Sequence, residues 1–190
     1  MNHVTKYHGL PAHKLLERLR GDHDFEVTAP INLGRIAEIL DIKIHEHIDI
    51  DNMDIIGSIS VKYLQPIIWL NPVENRYPPR KRFTIAHEIG HFILHINPIE
   101  GISEFRDTNK TLYRRDSYWD VTEYEANNFA ASLLMPIPLI NKHGDNIISS
   151  FKKRYNDKMP IDMFIEEMSS RFEVSDPAMK YRLKNLGAIK

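Results

Sequence analysis

The chain has 190 residues, 42% of them hydrophobic and 27% charged, which is the length and composition of a globular domain with at most a small appendage. The formal net charge of −1 gives no general attraction to nucleic acid or to an anionic membrane surface. The chain has no cysteine, which excludes a disulfide framework and a thiolate metal site.

The amino-terminal sequence gives no indication of export. The segment MNHVTKYHGLPAHKLLERLR lacks the apolar core of a signal peptide. No segment of the chain approaches the roughly 18 consecutive apolar residues of a membrane span. We therefore expect a cytoplasmic protein without a membrane partner, and the absence of cysteine agrees with a reducing compartment.

The first part of the chain predicts two helices followed by three strands. Residues 11–20, PAHKLLERLR, and residues 33–40, LGRIAEIL, have the apolar spacing of short helices. The segments KIHEHIDI, IIGSISVKYL and PIIWLN alternate in polarity or are rich in β-branched and aromatic residues, which indicates strands. Gly57 predicts a bulge or bend in the second strand. The edge of the third strand is a candidate for binding a substrate segment by strand addition.

A long helix follows the tandem prolines Pro78 and Pro79, because proline suits the first helical turn. The helix RKRFTIAHEIGHFILHI then continues to Pro98. Residues 99–119 show no clear periodicity, and we interpret them as a long loop, which in a compact domain is often functional.

The last part of the chain predicts helices only. Asp120 begins the helix DVTEYEANNFAASLLM, which ends at Pro136. Three short helices are expected after it, one following Gly144, one following Pro160 and one with Ser175 as its N-cap.

This order of elements predicts an α+β fold that is mainly helical, with a small, about three-stranded, antiparallel or mixed sheet. We expect residues 1–25 to be an amino-terminal extension and residues 26–143 to form the main domain. Residues 144–190 are expected to form a carboxy-terminal helical segment that packs on that domain.

The segment FTIAHEIGHFILH contains two histidines four residues apart, with a glutamate directly after the first. Four residues turn 400° on an α-helix, so His87 and His91 lie on one face, one turn apart. Two imidazoles in this position can bind one Zn²⁺, and Glu88 can reach a water on the metal as general base. The alternative is a hydrogen-bonded pair of core histidines. The apolar flanks favour the metal, because unpaired polar groups are costly in such surroundings.

Two further residues of this helix carry information. Gly90 costs a helix about 1 kcal/mol relative to alanine, which suggests close approach by a neighbour or space for substrate. The Cα of His95 lies about 6 Å beyond that of His91 along the axis, so we expect His95 to bond to backbone or to a carboxylate rather than to act as a third ligand.

A catalytic zinc needs a third protein ligand, and the helix from Asp120 offers candidates. Glu123 and Asn127 are four residues apart, so Glu123 could bind the metal while Asn127 hydrogen-bonds to a ligand. Two alternatives remain open. Glu125 is a rival ligand that points about 200° away from Glu123. Glu123 could also pair with Asp120 in a capping arrangement at the helix start.

The segments TIAHEIGHFILH and EYEANNFAASLLMP resemble the two zinc helices of the ImmA/IrrE-type metallopeptidases. The flanking segments PINLGRIAEIL, RYPPRKRF, RRDSYWDVTEYEAN and RFEVSDPAMKYRLKNLG are similar to those of the family in the same order. The resemblance spans roughly residues 30–187. It implies a zincin-like fold, with zinc bound by His87, His91 and Glu123 and with Glu88 as general base.

The resemblance also implies a biological role. Members of this family typically cleave a helix-turn-helix repressor of the Xre type and thereby relieve repression, often in phages, mobile elements or stress-response loci. We therefore expect a zinc metalloendopeptidase with such a repressor as substrate, and Mn²⁺ or Fe²⁺ as alternative metals. Candidates for stabilising the oxyanion are Tyr113, Arg115, Tyr118 and His143.

A different class of function is a non-catalytic module in which zinc is structural and the protein captures a regulator or belongs to a toxin–antitoxin pair. Glu88 argues against this class, because structural zinc sites do not need it. The basic segment RYPPRKR and the tail VSDPAMKYRLKNLG could suggest DNA binding. We favour a solvated helix start and core packing for these two segments, and expect no direct nucleic-acid binding.

Overall fold

The computed structural model describes residues 6–96, 103–108 and 121–189. Within these ranges the chain forms seven α-helices and one four-stranded sheet. In chain order the elements are α1 (Ala12–His23), α2 (Leu33–Ile39), β1 (Lys43–Glu46), β2 (Ile55–Lys62), β3 (Gln65–Leu70), α3 (Pro78–Leu94), β4 (Glu104–Thr108), α4 (Val121–Leu134), α5 (Ile137–Tyr155), α6 (Ile161–Phe172) and α7 (Asp176–Asn185).

The sheet is mixed, with strand order β1-β3-β2-β4. Strand β1 is parallel to β3, whereas β2 is antiparallel to both of its neighbours. A turn at Tyr63 and Leu64, both with positive φ, folds β3 back onto β2. The predicted α+β, mainly helical class is confirmed. The expected strand addition at β3 was wrong, because β1 and β2 occupy both of its edges.

Strand β4 lies inside the segment that the sequence predicts as a loop, so that prediction was wrong at residues 104–108. In the register with β2, Phe105 faces Ile59, while Glu104 and Arg106 lie opposite serines on the other side of the sheet. Only one large apolar side chain of this short strand therefore faces the core. The pattern is too brief to give a periodic signal, and the pairing with β2 supplies the strand instead.

Helix α3 covers one face of the sheet and forms the centre of the molecule. Its N-cap is Tyr77, and Pro78 and Pro79 occupy its first turn, as the sequence predicts. The cluster of buried apolar residues includes Ile89, Phe92 and Ile93 of this helix together with side chains from every helix and from β2 and β3. Because α3 lies between the sheet and α4, polar side chains along it are removed from water.

Helix α1 belongs to the same core. Leu15, Leu16 and Leu19 are buried in the common apolar cluster, and the backbone N–H of Gly9 donates to the carbonyl of Ile93 in α3 at 2.8 Å. These contacts connect the amino-terminal residues to the central helix. The division of the chain into residues 1–25, 26–143 and 144–190 stays a prediction.

The carboxy-terminal helices pack on one another, and their apolar side chains join the common buried cluster. Helix α5 begins at Ile137 and continues through Gly144, so the prediction of a helix starting after that glycine was wrong. A Cβ at Gly144 would lie 3.4 Å from the ring of Phe164, and the glycine thus marks a contact with α6 rather than a helix start. Ser175 is the predicted N-cap of α7, since its hydroxyl accepts from the backbone N–H of Ala178.

The tail packs as expected from its apolar residues, because Val174, Met179 and Leu183 are buried in the common core. Among the helices in the described ranges, none combines the length and apolar composition that crossing a membrane requires.

Candidate metal centre

Helices α3 and α4 pack closely because Gly90 has no side chain. A Cβ at this position would lie 3.2 Å from the carbonyl oxygen of Ala126 and 3.2 Å from Cδ1 of Phe129. The predicted close approach at Gly90 is therefore confirmed, and the neighbour is α4. This packing brings Glu123 and Asn127 of α4 next to the histidine pair of α3.

Three side chains of the kind that bind metals converge between the two helices. His87, His91 and Glu123 each offer one nitrogen or oxygen, and these atoms all lie within 4.8 Å of one another. The two Nε2 atoms are 2.9 Å apart. The Glu123 oxygens lie 3.4 Å from Nε2 of His87 and 3.2 Å from Nε2 of His91. Two imidazoles and one carboxylate are a donor set that suits Zn²⁺.

Asn127 determines which nitrogen of His87 faces the cluster. Nδ1 of His87 lies 3.1 Å from the side-chain oxygen of Asn127, which can only accept a hydrogen bond. With Nδ1–H donating to Asn127, a neutral His87 ring would present the lone pair of Nε2 to a metal ion shared with His91 and Glu123. The hydrogen bond that the sequence predicts for Asn127 is present.

A chain of hydrogen bonds has the same effect on His91. Nε2 of His95 lies 3.0 Å from a carboxylate oxygen of Glu125, and Nδ1 of His95 lies 3.0 Å from Nδ1 of His91. Because Glu125 accepts from Nε2–H of His95, the other ring nitrogen of His95 can accept from Nδ1–H of His91. The lone pair of His91 is then on Nε2, as in His87.

The contacts of His95 and Glu125 also answer two questions that the sequence leaves open. His95 bonds to a carboxylate at the helix end, as predicted, and its side chain is 8% exposed. Glu125, the rival candidate for the third ligand, is that partner and lies on another side of α4. Sequence reasoning did not find the connection from His95 to His91, although the spacing of four residues between them is a signal for it.

The neighbouring histidines keep the carboxyl group of Glu123 ionised. Its burial would raise the pKa of the carboxyl group, but the contacts with His87 and His91 outweigh burial and hold the pKa well below its usual range. The carboxylate is thus ionised, facing two imidazole nitrogens that can take up either protons or a metal ion. Protons and metal compete for the same atoms, as they do at metal sites built from histidine.

Two aromatic rings hold the histidines in place. The ring of Phe105 in β4 stacks on His91 with centroids 4.6 Å apart and an interplanar angle of 16°. The centroid of the Phe83 ring lies 6.4 Å from that of His87, at an interplanar angle of 28°. Sequence reasoning missed the role of Phe105, because it interpreted this segment as a loop. The strand β4 therefore forms one wall of the site.

Glu88 is fully buried on the side of α3 that faces β2. It follows His87 by about 100° around the helix, so it borders the cluster without belonging to the three converging ligands. The neighbouring backbone of β2 is that of Gly57, where a register shift opposite β4 confirms the predicted bulge. The role of Glu88 as general base stays a prediction.

The remaining candidates divide into two groups. Tyr113, Arg115 and Tyr118 lie outside the described residues, and so does Asp120, the partner in the capping alternative for Glu123. His143 lies in α5, where its ring contacts Phe172 and its Nδ1 is 3.3 Å from Arg171. His143 is therefore engaged with α6 rather than with the cluster.

An α+β domain with a His-Glu-x-x-His helix and a facing glutamate has the features of the zincin class. Comparison with known families agrees: residues 37–184 match the model of Peptidase_M78, the IrrE N-terminal-like domain. The match covers most of the chain, and the protein belongs to this family. The resemblance to ImmA/IrrE-type proteins that the sequence indicates is thus confirmed.

Two relatives show the extent of the similarity. The chain is 33% identical over 106 residues to the radiation response metalloprotease IrrE of Deinococcus radiodurans, and 33% identical over 106 residues to the protein of the same name from Deinococcus deserti. The aligned part is 56% of this chain in each case, but 27% and 32% of the two relatives. The chain therefore spans less than a third of the length of these proteins.

Proposed function

We propose that this protein is a zinc-dependent endopeptidase. The observation that carries the proposal is the convergence of His87, His91 and Glu123 within 4.8 Å, on helices whose packing also buries Glu88 beside them. Because the Nδ1 atoms of both histidines are engaged in hydrogen bonds, their Nε2 atoms would be available to the same metal ion. Membership in the Peptidase_M78 family and the metalloprotease names of the two Deinococcus relatives support peptidase chemistry.

In this proposal His87, His91 and Glu123 would hold the metal, and Glu88 would be the general base. When bound, zinc supplies a Lewis acid that polarises a carbonyl group and lowers the pKa of a water towards about 7. Glu88 takes a proton from the attacking water and returns it to the leaving amine. The burial of Glu88 keeps bulk water away from its carboxylate, so the proton is not lost to solvent between the two transfers.

We propose a helix-turn-helix repressor of the Xre type as the substrate, cleaved so that repression is relieved. The support is the family resemblance over roughly residues 30–187, together with the radiation response that the names of the Deinococcus relatives record. A stress-response or mobile-element setting and a cytoplasmic location accord with a substrate that acts on DNA. Zinc is preferred over Mn²⁺ and Fe²⁺ because the donors are two nitrogens and one carboxylate.

The test combines metal analysis with cleavage. Zinc-loaded protein is incubated with purified Xre-type repressors, with and without a chelator. We expect cleavage that the chelator blocks and that zinc restores. Glu88→Gln should retain zinc but lose cleavage by at least about 100-fold, because the amide cannot accept the proton. His87→Ala should lose both, whereas His13→Gln, in an exposed position of α1, should keep both.

Two results would decide against the proposal. A Glu88→Gln protein with full cleavage excludes this general base. Stable binding of a repressor by the zinc-loaded protein, without cleavage under any metal condition, favours the alternative of a non-catalytic zinc-containing module that captures a regulator or belongs to a toxin–antitoxin pair.

A further inference from the structure

A cavity lies where α1 meets the junction of α4 and α5. Its volume is about 620 Å³, and its lining includes none of the three candidate metal ligands His87, His91 and Glu123. Most of its surface is apolar, with walls formed by Leu16, Val27, Ile137 and Leu139. Ile137 is 48% exposed, so its side chain is accessible to a molecule in the cavity. A cavity of this size suits a small molecule.

The wall of this cavity contains a partly buried arginine without a carboxylate partner. Nε of Arg182 donates to the carbonyl oxygen of Met135 at 3.3 Å, at the end of α4. Within the described residues, its guanidinium makes no ion pair, and burial lowers the pKa of Arg182 with no acidic group to oppose it. Arg82 is a useful contrast, since this partly buried arginine lies 3.3 Å from the carboxylate of Glu173.

The charged residues of the cavity carry more positive than negative charge. Glu17 also lines it, and its carboxylate is paired with Lys14 at 2.8 Å and interacts electrostatically with Arg20. Arg182 is the cation of the wall that this carboxylate does not offset. Helix α5 begins at the same place after Pro136, without a side-chain cap, so the positive end of its dipole is added to these charges.

We propose that this cavity binds an organic carboxylate with an apolar body of on the order of ten non-hydrogen atoms. Arginine recognises carboxylates through paired N–H groups, and the terminal amino groups of Arg182 have no protein acceptor within the described residues. The aliphatic walls accept the apolar body. Sugars fit less well, since most of the wall surface is apolar and would leave their hydroxyls without hydrogen bonds.

Sodium octanoate is a suitable probe, and 1-octanol is its uncharged counterpart. In a methyl NMR titration of the whole protein, we expect octanoate to shift the signals of Leu16, Val27, Ile137 and Leu139. The signal of Ile148, which lines a different cavity on α5, should not move. Octanol should bind at least about tenfold more weakly, because it cannot pair with a guanidinium.

Variants identify the charges responsible. Arg182→Gln should weaken octanoate binding about tenfold or more, and Arg20→Gln should weaken it to a smaller degree. Arg182→Lys keeps the charge but loses the paired N–H groups, so its affinity should lie between that of Arg182→Gln and that of the unmodified protein. Arg18→Gln, exposed on the same helix as Arg20, is the matched control and should leave affinity unchanged. If Arg182→Gln does not fold, Arg20→Gln and Arg182→Lys still decide the question.

Three outcomes would overturn the proposal. One is equal affinity for octanol and octanoate. Another is unchanged octanoate affinity when either Arg20 or Arg182 loses its charge. The third is a titration in which Ile148 shifts and the four cavity methyl signals do not, which would place the octanoate site elsewhere.

Discussion

A Cβ added to Gly57 would lie 2.9 Å from Oε1 of Glu88, so strand β2 contacts helix α3 at the carboxylate next to the metal cluster. The same Cβ would lie 2.7 Å from Cγ2 of Thr84, one turn earlier on the helix. Both distances are shorter than ordinary packing allows. The missing side chain at position 57 therefore leaves the space in which the carboxylate of Glu88 lies.

Replacing Gly57 by alanine should impair catalysis without removing the metal. The added methyl group must displace either the carboxylate of Glu88 or the backbone of β2. We expect zinc binding to persist, because none of the three atoms nearest to the new methyl group belongs to His87, His91 or Glu123. Repressor cleavage should fall by at least about tenfold, and stability by about 1–3 kcal/mol, as for other overpacked sites. Zinc content, cleavage rate and urea unfolding measure the three quantities.

Gly21 provides the control for this substitution. It lies in α1, and a Cβ there would meet nothing within 4 Å. Gly21→Ala should leave cleavage unchanged and stabilise the protein by up to about 1 kcal/mol. If Gly57→Ala cleaves at the rate of the unmodified protein, the position of Glu88 does not depend on the glycine, and this account of the contact is wrong.

The histidine pair and its glutamate could be recognised from the sequence because their relation is local. His87, Glu88 and His91 occupy one helix, and helical geometry alone fixes their relative directions. The choice between Glu123 and Glu125 could not be made in this way. Both lie on one helix, and only the packing of that helix against Gly90 determines which carboxylate faces the histidines.

Features that depend on pairing between distant segments were predicted less well. Strand β4 exists because it pairs with β2, and Phe105 alone among its described side chains faces the core. The start of α5 was misplaced because a glycine near the middle of a helix was interpreted as a boundary, whereas Gly144 accommodates the ring of Phe164. In both cases a partner far along the chain decides the local structure.

Zinc affinity should depend on the hydrogen-bond chain from Glu125 through His95 to His91. Glu125→Ala removes the acceptor that fixes the protonation of His95, so His91 is no longer held with its lone pair on Nε2. Loss of such outer partners typically reduces metal affinity about 10–100-fold. Competition with a chromophoric chelator measures the zinc dissociation constant, and we expect an increase within that range.

Two variants separate this effect from a general loss of charge. Glu125→Gln keeps an oxygen that can accept from His95, so its zinc affinity should fall less than that of Glu125→Ala. Glu167→Ala removes an exposed carboxylate of α6 and should leave affinity unchanged. Equal affinities for all three variants would show that the chain does not act on the metal site.

Asn75 should be among the residues whose loss most destabilises the fold. It is 2% exposed and donates to the carbonyl oxygens of Ile56 at 2.8 Å and Asn71 at 2.9 Å, while its own oxygen accepts from the hydroxyl of Thr84. Asn75→Ala leaves the carbonyl of Ile56 without this donor beneath α3. The expected loss is about 2–3 kcal/mol in urea unfolding.

Asn32 provides the control for Asn75, because it is an asparagine whose hydrogen bond is exposed to solvent. It caps the start of α2 by accepting from the backbone N–H of Arg35 at 2.9 Å, and the bond is exposed to solvent. Asn32→Ala should therefore cost only about 1 kcal/mol. An Asn32→Ala protein less stable than Asn75→Ala would contradict the view that the buried network joining β2 to α3 is the stronger of the two.

Gly90→Ala tests whether the spacing of α3 and α4 sets the metal site. Alanine is the better helix former by about 1 kcal/mol, but its Cβ would lie 3.2 Å from the carbonyl oxygen of Ala126. The carbonyl oxygen of Ala126 is part of the backbone and cannot relieve the contact by a rotamer change. Helix α4 must therefore move away from α3, and Glu123 moves with it. We expect zinc affinity to fall about tenfold and stability to fall by about 1–2 kcal/mol in spite of the helix preference.

Gly144→Ala is the control, since its Cβ would contact only the ring of Phe164 at 3.4 Å. It should gain stability or leave it unchanged, and it should bind zinc like the unmodified protein. If the two variants have the same zinc affinity, the closeness of the helices at Gly90 does not position Glu123.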